Sequence, residues 1–318
     1  MRKFLEFIFN NGFLRKCSND AKVKATQAFV YISAIVTIIF AWDTTLFLIA
    51  LALGWVCFGL CVSVGLHKYA AHRTYEPKNR LIKWIVLWFA TIGTLGSTIC
   101  WAAGHRAHHR HSDHIEDPHR PKGNLLHKIK VWFYYVPSFN INPLSIKDLT
   151  RDKDHVFFHN HYYKIIFSYV GVLALIDPIY VGYFYGIPIW YTLIGISWAT
   201  VIAHIPVLSY GLPGTWRTYN SKDYTVNSHF WSIMFIGEGL HNTHHAVPGL
   251  WNNAINKGEF DLTAPIIKLI GKPNNATVRK HPPIRRGYKK IKKELREVEK
   301  YITEYDKTHS KTGHYTAT

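Results

Sequence analysis

Cysteine is scarce in this chain: Cys17, Cys57, Cys61 and Cys100 are its four, and none shows the paired spacing of a disulfide framework or a zinc knuckle. Lying in or near apolar segments, they read as reduced, small apolar filler. Acidic side chains are also few, 20 against 38 Lys and Arg, which leaves a formal net charge of +18. More telling is where basic residues are missing. Ala25 to Leu66 and Ile165 to Trp216 contain no Lys or Arg at all. Nor does the start of the chain carry a small-residue cleavage site. Met1 to Lys24 mixes Phe and Ile with six basic residues, and reads as an amphipathic interfacial lead-in instead of a cleaved leader.

What is present explains those gaps. Hydrophobic residues make up 48% of the chain while mean hydropathy is only −0.05, so apolar and strongly polar segments are being averaged. Each stretch without Lys or Arg is at least twice the roughly 20 residues that a helix needs to cross a bilayer, so each is long enough to cross and return. The first divides near Trp42-Asp43-Thr44 into spans of Gln27 to Ala41 and Thr45 to Leu66. The second divides in the Asp177-Pro178 to Pro188 region, into a span from Ile165 to Ile176 and another from Ile189 to Tyr210. With every Lys and Arg outside these hairpins, the positive-inside rule places both termini and the middle segment on the cytoplasmic side. The basic charge then faces anionic lipid or an acidic partner, and the membrane spans argue against nucleic acid.

A third apolar stretch, Leu81 to Cys100, has the length of a crossing, yet His67 and His72 precede it and His105 to His109 follow it. One passage through the membrane would set those clusters ~30 Å apart on opposite faces. The stretch is therefore expected to lie in the interface, or to dip in and return, with Lys83, Gly93 and Gly96 marking a broken element. The fold class that results is an all-α membrane protein: four transmembrane helices in two hairpins, with a cytosolic helical cap. Its expected segments are a lead-in (1–24), the first hairpin with the interfacial helix (25–109), a Pro-punctuated cytosolic insertion (110–164), the second hairpin (165–215) and a cap (216–318). The cap ends in a charged helix, Lys289 to Asp306, expected to be solvated and peripheral. No internal repeat is visible beyond the pairing of the hairpins.

Histidine is abundant, 20 residues, and its spacing carries the chemistry. Three boxes stand out: HKYAAH (His67, His72), HRAHH (His105, His108, His109) and HNTHH (His241, His244, His245). In the second and third, offsets of three and four put three imidazoles on one side of a helix. The first has an offset of five, which suits the frayed end of a crossing helix. Eight imidazoles on one membrane face exceed what a single ion accepts, so two metals are expected, and redox work would require iron or copper.

These boxes, in this order and with HRHSDHIEDPH continuing the second, resemble the membrane fatty acyl desaturases of the stearoyl-CoA and acyl-lipid Δ9 type. The resemblance covers Thr45 to Trp251. It implies an O2-dependent oxidoreductase that introduces a cis double bond, commonly Δ9, into a saturated acyl chain of an acyl-CoA or acyl-lipid. It also implies two iron ions, one on His67, His72, His105, His109 and His244, the other on His108, His241 and His245. A further ligand comes in that family from an Asn-x-x-x-His pattern on the last crossing helix. His204 occupies the histidine position, where an intramembrane polar group would already suggest function. Thr200 stands where the family's Asn holds a water, and Trp101-Ala102-Ala103-Gly104 lacks the Arg-Asp pair by which animal enzymes bind CoA.

Asp113, Glu116, Asp117 and His119 after the second box, and Glu238 before the third, are expected to orient ligand imidazoles, with a solvated loop or a helix cap as the bland alternatives. His111, His114, His127, His155, His159, His161 and His229 read as surface residues. Leu51 and Trp55, one turn apart ahead of the first box, are candidates to close an acyl tunnel, or equally to anchor in lipid. No fused cytochrome b5 motif, flavin or nicotinamide fingerprint or ferredoxin cysteine set is present. The two electrons of each turnover must then come from a separate donor, such as cytochrome b5 or ferredoxin, docking on the basic face. A lipid hydroxylase or ketolase built on the same boxes is the nearest alternative, and a metal-handling membrane protein a more distant one.

Overall fold

A computed structural model describes residues 18–118, 120, 143–204, 214–278 and 288–309. Helix α1 (Ser18–Phe40) begins inside the segment expected to be lead-in, and is apolar from Val23 onward. It stops at Ala41, and Asp43 starts the next helix by accepting a hydrogen bond from the Leu46 amide at 2.8 Å. The turn is held from outside: the Tyr183 hydroxyl donates to the Ala41 carbonyl and accepts from the Asp43 amide, both at 2.6 Å. Helix α2 (Thr44–Cys57) then runs without a break into a π-helical segment, Phe58–Ala71. The offset of five between His67 and His72 is not fraying; the His72 amide bonds the His67 carbonyl at 3.1 Å, the i→i+5 register of a π-helix.

Among the described residues, three helices are long and apolar enough to cross a membrane: Val23–Phe40, Thr44–Ala71 and Ile179–Ser197. The fourth expected span, α6 (Tyr162–Ile176), is apolar but has only 15 residues. Asp177-Pro178 ends it, and the chain re-enters helix at Ile179, so the turn is tighter than expected. Pro188 lies inside the following helix. It is accommodated because Gly182–Gly186 is π-helical and passes into α7 (Ile187–His204) at that point, where a missing N–H matters least. Large apolar side chains such as Ile39, Phe40, Leu48, Leu175 and Ile176 point outward from α1, α2 and α6. Such a surface suits hydrocarbon, where only internally bonded backbone is tolerated.

The stretch from Leu81 to Cys100 is broken, as the histidine geometry demands. Helix α3 (Arg80–Ile92) has 13 residues and is capped by Asn79; it leaves Leu81 outward and buries Val86, Leu87 and Ala90. A turn with positive φ at Thr94 (60°) and Gly96 (99°) separates it from α4 (Thr98–His111), which Ser97 caps. Lys83, Arg80 and Trp84 of α3 converge on Asp152 and Asp154 at the start of α5 (Lys153–Asn160).

Beyond α7 the cap is built from short pieces: β2 (Thr215–Trp216) pairs with β3 (Asn227–Ser228), followed by α8 (His229–Met234), α9 (His241–Ala246) and α10 (Thr263–Ile270). Strand β4 (Gly271–Pro273) returns to pair antiparallel with β1 (Tyr75–Pro77), tying the cap to the end of the π segment. Beneath that clip, Lys68 and Asp261 form a fully buried ion pair at 3.3 Å. The charged C-terminal helix, α11 (Tyr288–His309), is docked and not merely solvated. Its Ile291, Leu295, Val298 and Ile302 recur at helical spacing and are all buried.

Candidate metal centre

The boxes arrive from three directions. His67 and His72 come from the end of the π segment, His105, His108 and His109 from α4, and His241, His244 and His245 from α9. His204, the last residue of α7, joins them. Their ring nitrogens gather into two groups. His67, His72, His105, His109 and His244 form one, and His108, His204, His241 and His245 the other; within each, the ligand atoms lie within 4.8 Å of one another. Helical spacing explains the sharing. In α4 the residues at i and i+4 turn to the first group and i+3 to the second, whereas in α9 the middle histidine goes to the first group. The two groups share a wall, with the His109 and His245 ring centroids 4.3 Å apart.

Nitrogen faces nitrogen in both. The Nε2 of His105 is 2.9 Å from that of His72 and 3.0 Å from that of His109, while the Nε2 of His244 is 2.8 Å from that of His67 and 2.9 Å from that of His109. In the second group the Nε2 of His241 lies 3.1 Å from those of His204 and His245. What the outer nitrogens do decides the meaning of these distances. Nδ1 of His67 contacts Glu238 Oε1 at 2.6 Å, His108 contacts Asp117 at 2.8 Å, His204 contacts Asp113 at 3.1 Å and His245 contacts Asp223 at 3.0 Å. A carboxylate at Nδ1 fixes the proton there and turns the Nε2 lone pair inward. Lone pairs converging without protons repel one another unless a cation lies among them, so the residues fit transition-metal ions, for which imidazole is an apt ligand.

Solvation points the same way. Burial first, then neighbouring imidazoles, push His72, His105, His109, His241 and His244 well below the usual histidine range. His245 is brought down to about 4 by burial, although Asp223 opposes the shift. Near neutral pH these rings are uncharged and free to donate electron pairs to a metal.

The carboxylates show which sequence expectations meet the site. Asp113, Asp117 and Glu238 each reach a histidine of a box or His204. Asp113 holds a positive φ of 65°, rare for a residue with a side chain, and also accepts from the Tyr224 amide at 2.8 Å. Glu116 turns away from the two histidine groups, to His111 at 2.8 Å and the Tyr305 hydroxyl at 3.1 Å. Asp223 went unrecognised in the sequence because it lies 22 residues before His245, with no local spacing to flag it. It is held by Ser221 and Thr225, in a loop whose carbonyls at Ser221, Asp223 and Thr225 all accept from the buried Arg217 guanidinium. Asn242, inside the third box, braces the same loop by accepting from the Thr218 and Tyr219 amides.

Other candidates fall elsewhere. His155, read as a surface residue, is fully buried: it stacks on Tyr69 and pairs with Thr98 Oγ1 at 2.8 Å, while His159 pairs with Ser97 Oγ at 2.7 Å. The burial of His155 and the half-burial of His159 follow from α5 packing on α4. His114 is also buried, against Tyr305. Thr200 lies on α7 one turn before His204, and its side chain, like His119 and His127, lies outside the described residues. Leu51 packs with Tyr183 and Ile187, and Trp55 Nε1 donates to the Ile233 carbonyl of α8 at 2.8 Å. Neither lines the small cleft beside Glu238, whose walls are Ala199, Ala203, Val226, Ser228, Trp231 and Gly239.

Comparison with known proteins agrees with this geometry. The family profile described as fatty acid desaturase matches residues 27–255. The chain belongs to the fatty acid desaturase family. It is therefore an oxidoreductase of lipid metabolism, and its apolar helices make it membrane-associated. Among curated relatives, an sn-1 stearoyl-lipid 9-desaturase of Anabaena variabilis is 30% identical over 229 residues, 70% of this chain and 79% of that one. An enzyme of the same name from Synechocystis is 27% identical over 299 residues, 89% of this chain and 88% of its own. A Delta(9)-fatty-acid desaturase of Caenorhabditis elegans is 25% identical over 212 residues, 65% of this chain and 62% of the relative.

Proposed function

We propose that this desaturase introduces a cis Δ9 double bond into a saturated acyl chain esterified to a membrane lipid, using O2, two iron ions and electrons from a separate donor. The observation that carries the reading is the pair of adjoining all-histidine groups, backed by carboxylates, in a chain similar along much of its length to two enzymes named stearoyl-lipid 9-desaturase. Bound iron would supply the oxidant that removes two hydrogens from the acyl chain. The nine imidazoles of the two groups would ligate it: His67, His72, His105, His109 and His244 at one ion, His108, His204, His241 and His245 at the other.

The remaining work belongs to the protein. Glu238, Asp113, Asp117 and Asp223 keep protons on the outer nitrogens of the imidazoles they touch. The cleft between α7 and α8 offers small apolar side chains, Ala199 and Ala203, beside Glu238, a suitable wall for a methylene chain kept from water. Trp55, bonded to α8, would close the far end. Thr200, one turn before His204, is the candidate to hold a water at the second ion. Support for a lipid-borne chain comes from Ala103 and Gly104, which offer no charge to a CoA ester.

The topology that fits has four crossings, α6 completing the second hairpin, with the termini and the metal groups on the cytoplasmic face where Lys and Arg concentrate. An external donor such as cytochrome b5 or ferredoxin would dock on that basic face. Expression in a yeast lacking its own Δ9 desaturase, with a compatible donor and gas chromatography of the fatty acids, tests the activity. New Δ9 monoenes in glycerolipid are expected; an oxygenated product sixteen mass units heavier would mark a hydroxylase, and no new species would remove the proposal. Purified enzyme given stearoyl-lipid vesicles or stearoyl-CoA then distinguishes the acyl carrier.

A further inference from the structure

The matched segment ends at residue 255, yet the helix α11 that follows it is tied into the second histidine group by two separate routes. That group depends on two loops. The turn after α4 carries Asp113 and Asp117, the partners of His204 and His108, and the loop after β2 carries Asp223, the partner of His245. Both loops rest on one face of α11. On the first, Asp306 Oδ1 accepts from the Ile115 amide at 2.9 Å, its Oδ2 accepts from Arg120 at 2.6 Å, and Tyr305 donates to Glu116 at 3.1 Å. On the second, Glu294 stands 3.7 Å from the Nε of the buried Arg217 that gathers the Asp223 loop, and Lys222 lies over the Tyr301 ring at 4.8 Å. Tyr301 lies between the loops, with the His114 ring 5.4 Å away on the other side.

Among the described residues the first group shows no such tie. Its outer carboxylate, Glu238, lies in the turn between α8 and α9, where its side chain meets His67 and its amide the Phe235 carbonyl, away from α11. We propose that α11 is a brace for the second metal group alone, with Asp306 as its main positioning residue. Asp306 acts through the backbone: it fixes the Ile115 amide and Arg120 on either side of Asp117, and so sets where Asp113 and Asp117 present their oxygens to His204 and His108. The turn needs such support because Asp113 sits at positive φ, a conformation that costs energy and relaxes when not held. The inference rests on the di-iron reading above.

The test compares full-length wild type, Asp306→Ala and Asp306→Asn, with Glu297→Ala as a control at an exposed position of the same helix. Iron per chain is measured after purification, and iron release to a chelator is followed in time. Wild type and Glu297→Ala should hold two irons. Asp306→Ala should lose one of them about tenfold more readily, as expected when an outer partner of a ligand is disturbed, and keep the other at the wild-type rate. Asp306→Asn, which retains the acceptor for the Ile115 amide, should recover part of the loss. Tyr305→Phe gives a milder second variant should the alanine variant fold poorly, and the same selective loss is expected of it. Two irons released at the wild-type rate from Asp306→Ala and Tyr305→Phe, or both irons lost in parallel, would overturn the brace. Fewer than two in the wild type would overturn the di-iron reading, and the brace with it.

Discussion

His67 Nδ1 and Glu238 Oε1 stand 2.6 Å apart across 171 residues of sequence, both buried, and through this contact the third histidine box is fastened to the first. Glu238 is three residues ahead of His241, so any shift of the turn that carries it also moves a histidine of the other group.

Glu238→Gln keeps the size of the side chain and removes its charge. The imidazole then loses its charge-assisted partner, and metal affinity at the first group should fall about 10- to 100-fold. Iron content after dialysis against a graded chelator is the measurement. Wild-type retention would mean that the contact orients nothing.

Gly239 offers a steric test of the same turn. A Cβ added there would lie 2.0 Å from the Ser232 amide nitrogen and 2.5 Å from its Cα, backbone that cannot swing aside. Gly239→Ala should abolish recovery of folded, iron-containing protein. Gly171→Ala, on α6 with nothing within 4 Å of the added carbon, should leave recovery intact and add about 0.5–1 kcal/mol of helix stability. Size-exclusion profiles and iron content of the two variants, expressed side by side, decide it.

The junction of α3 and α5 predicts a pH dependence. Burial alone would raise the Asp154 carboxyl, but Lys83, Trp84 and Arg80 outweigh it and bring it down to about 2 from 3.8. A carboxyl lowered by folding stabilises fully above its unfolded value and loses that contribution as pH falls toward the folded one. The shift corresponds to roughly 2 kcal/mol. Asp154→Asn should therefore lower the thermal midpoint in detergent at neutral pH, with the gap to wild type narrowing below about pH 4. A gap that stays constant through that range would refute the assignment.

Trp55 donates to the Ile233 carbonyl and so links α2 to α8. If it closes the acyl passage, Trp55→Ala should shift products toward longer chains in the yeast assay. An unchanged chain-length profile with normal turnover would place Trp55 as an anchor between helices only.

Much of this site was legible in the sequence because its signals are local. Offsets of three and four on a helix state which histidines share a side, and two boxes that meet on one face of a membrane require a break such as that at Gly93–Ser97 in the apolar stretch between them. Asp113, Asp117 and Glu238 were within reach for the same reason, lying next to boxes. What was hidden depends on chain return. Asp223 meets His245 only because Arg217 and Asn242 fold the intervening loop, and His155 is buried only because α5 docks on α4. The π register was also hidden, since an apolar run reads alike in either helix; only the offset of His67 and His72 hinted at it.

The carboxylates behind the histidines also bear on how the fold is held together. Glu238, Asp113, Asp117 and Asp223 bring the charge of four carboxyl groups into the interior, and burial pushes six of the nine imidazoles beside them, His72, His105, His109, His241, His244 and His245, toward the neutral form, in which they offset none of it. Two divalent cations would balance that charge. Without them the same interior must take up protons on rings crowded too closely to share them, or open to water. Metal loss and loosening of the cap would then be one event, with iron acting as a component of the folded state as well as a reagent.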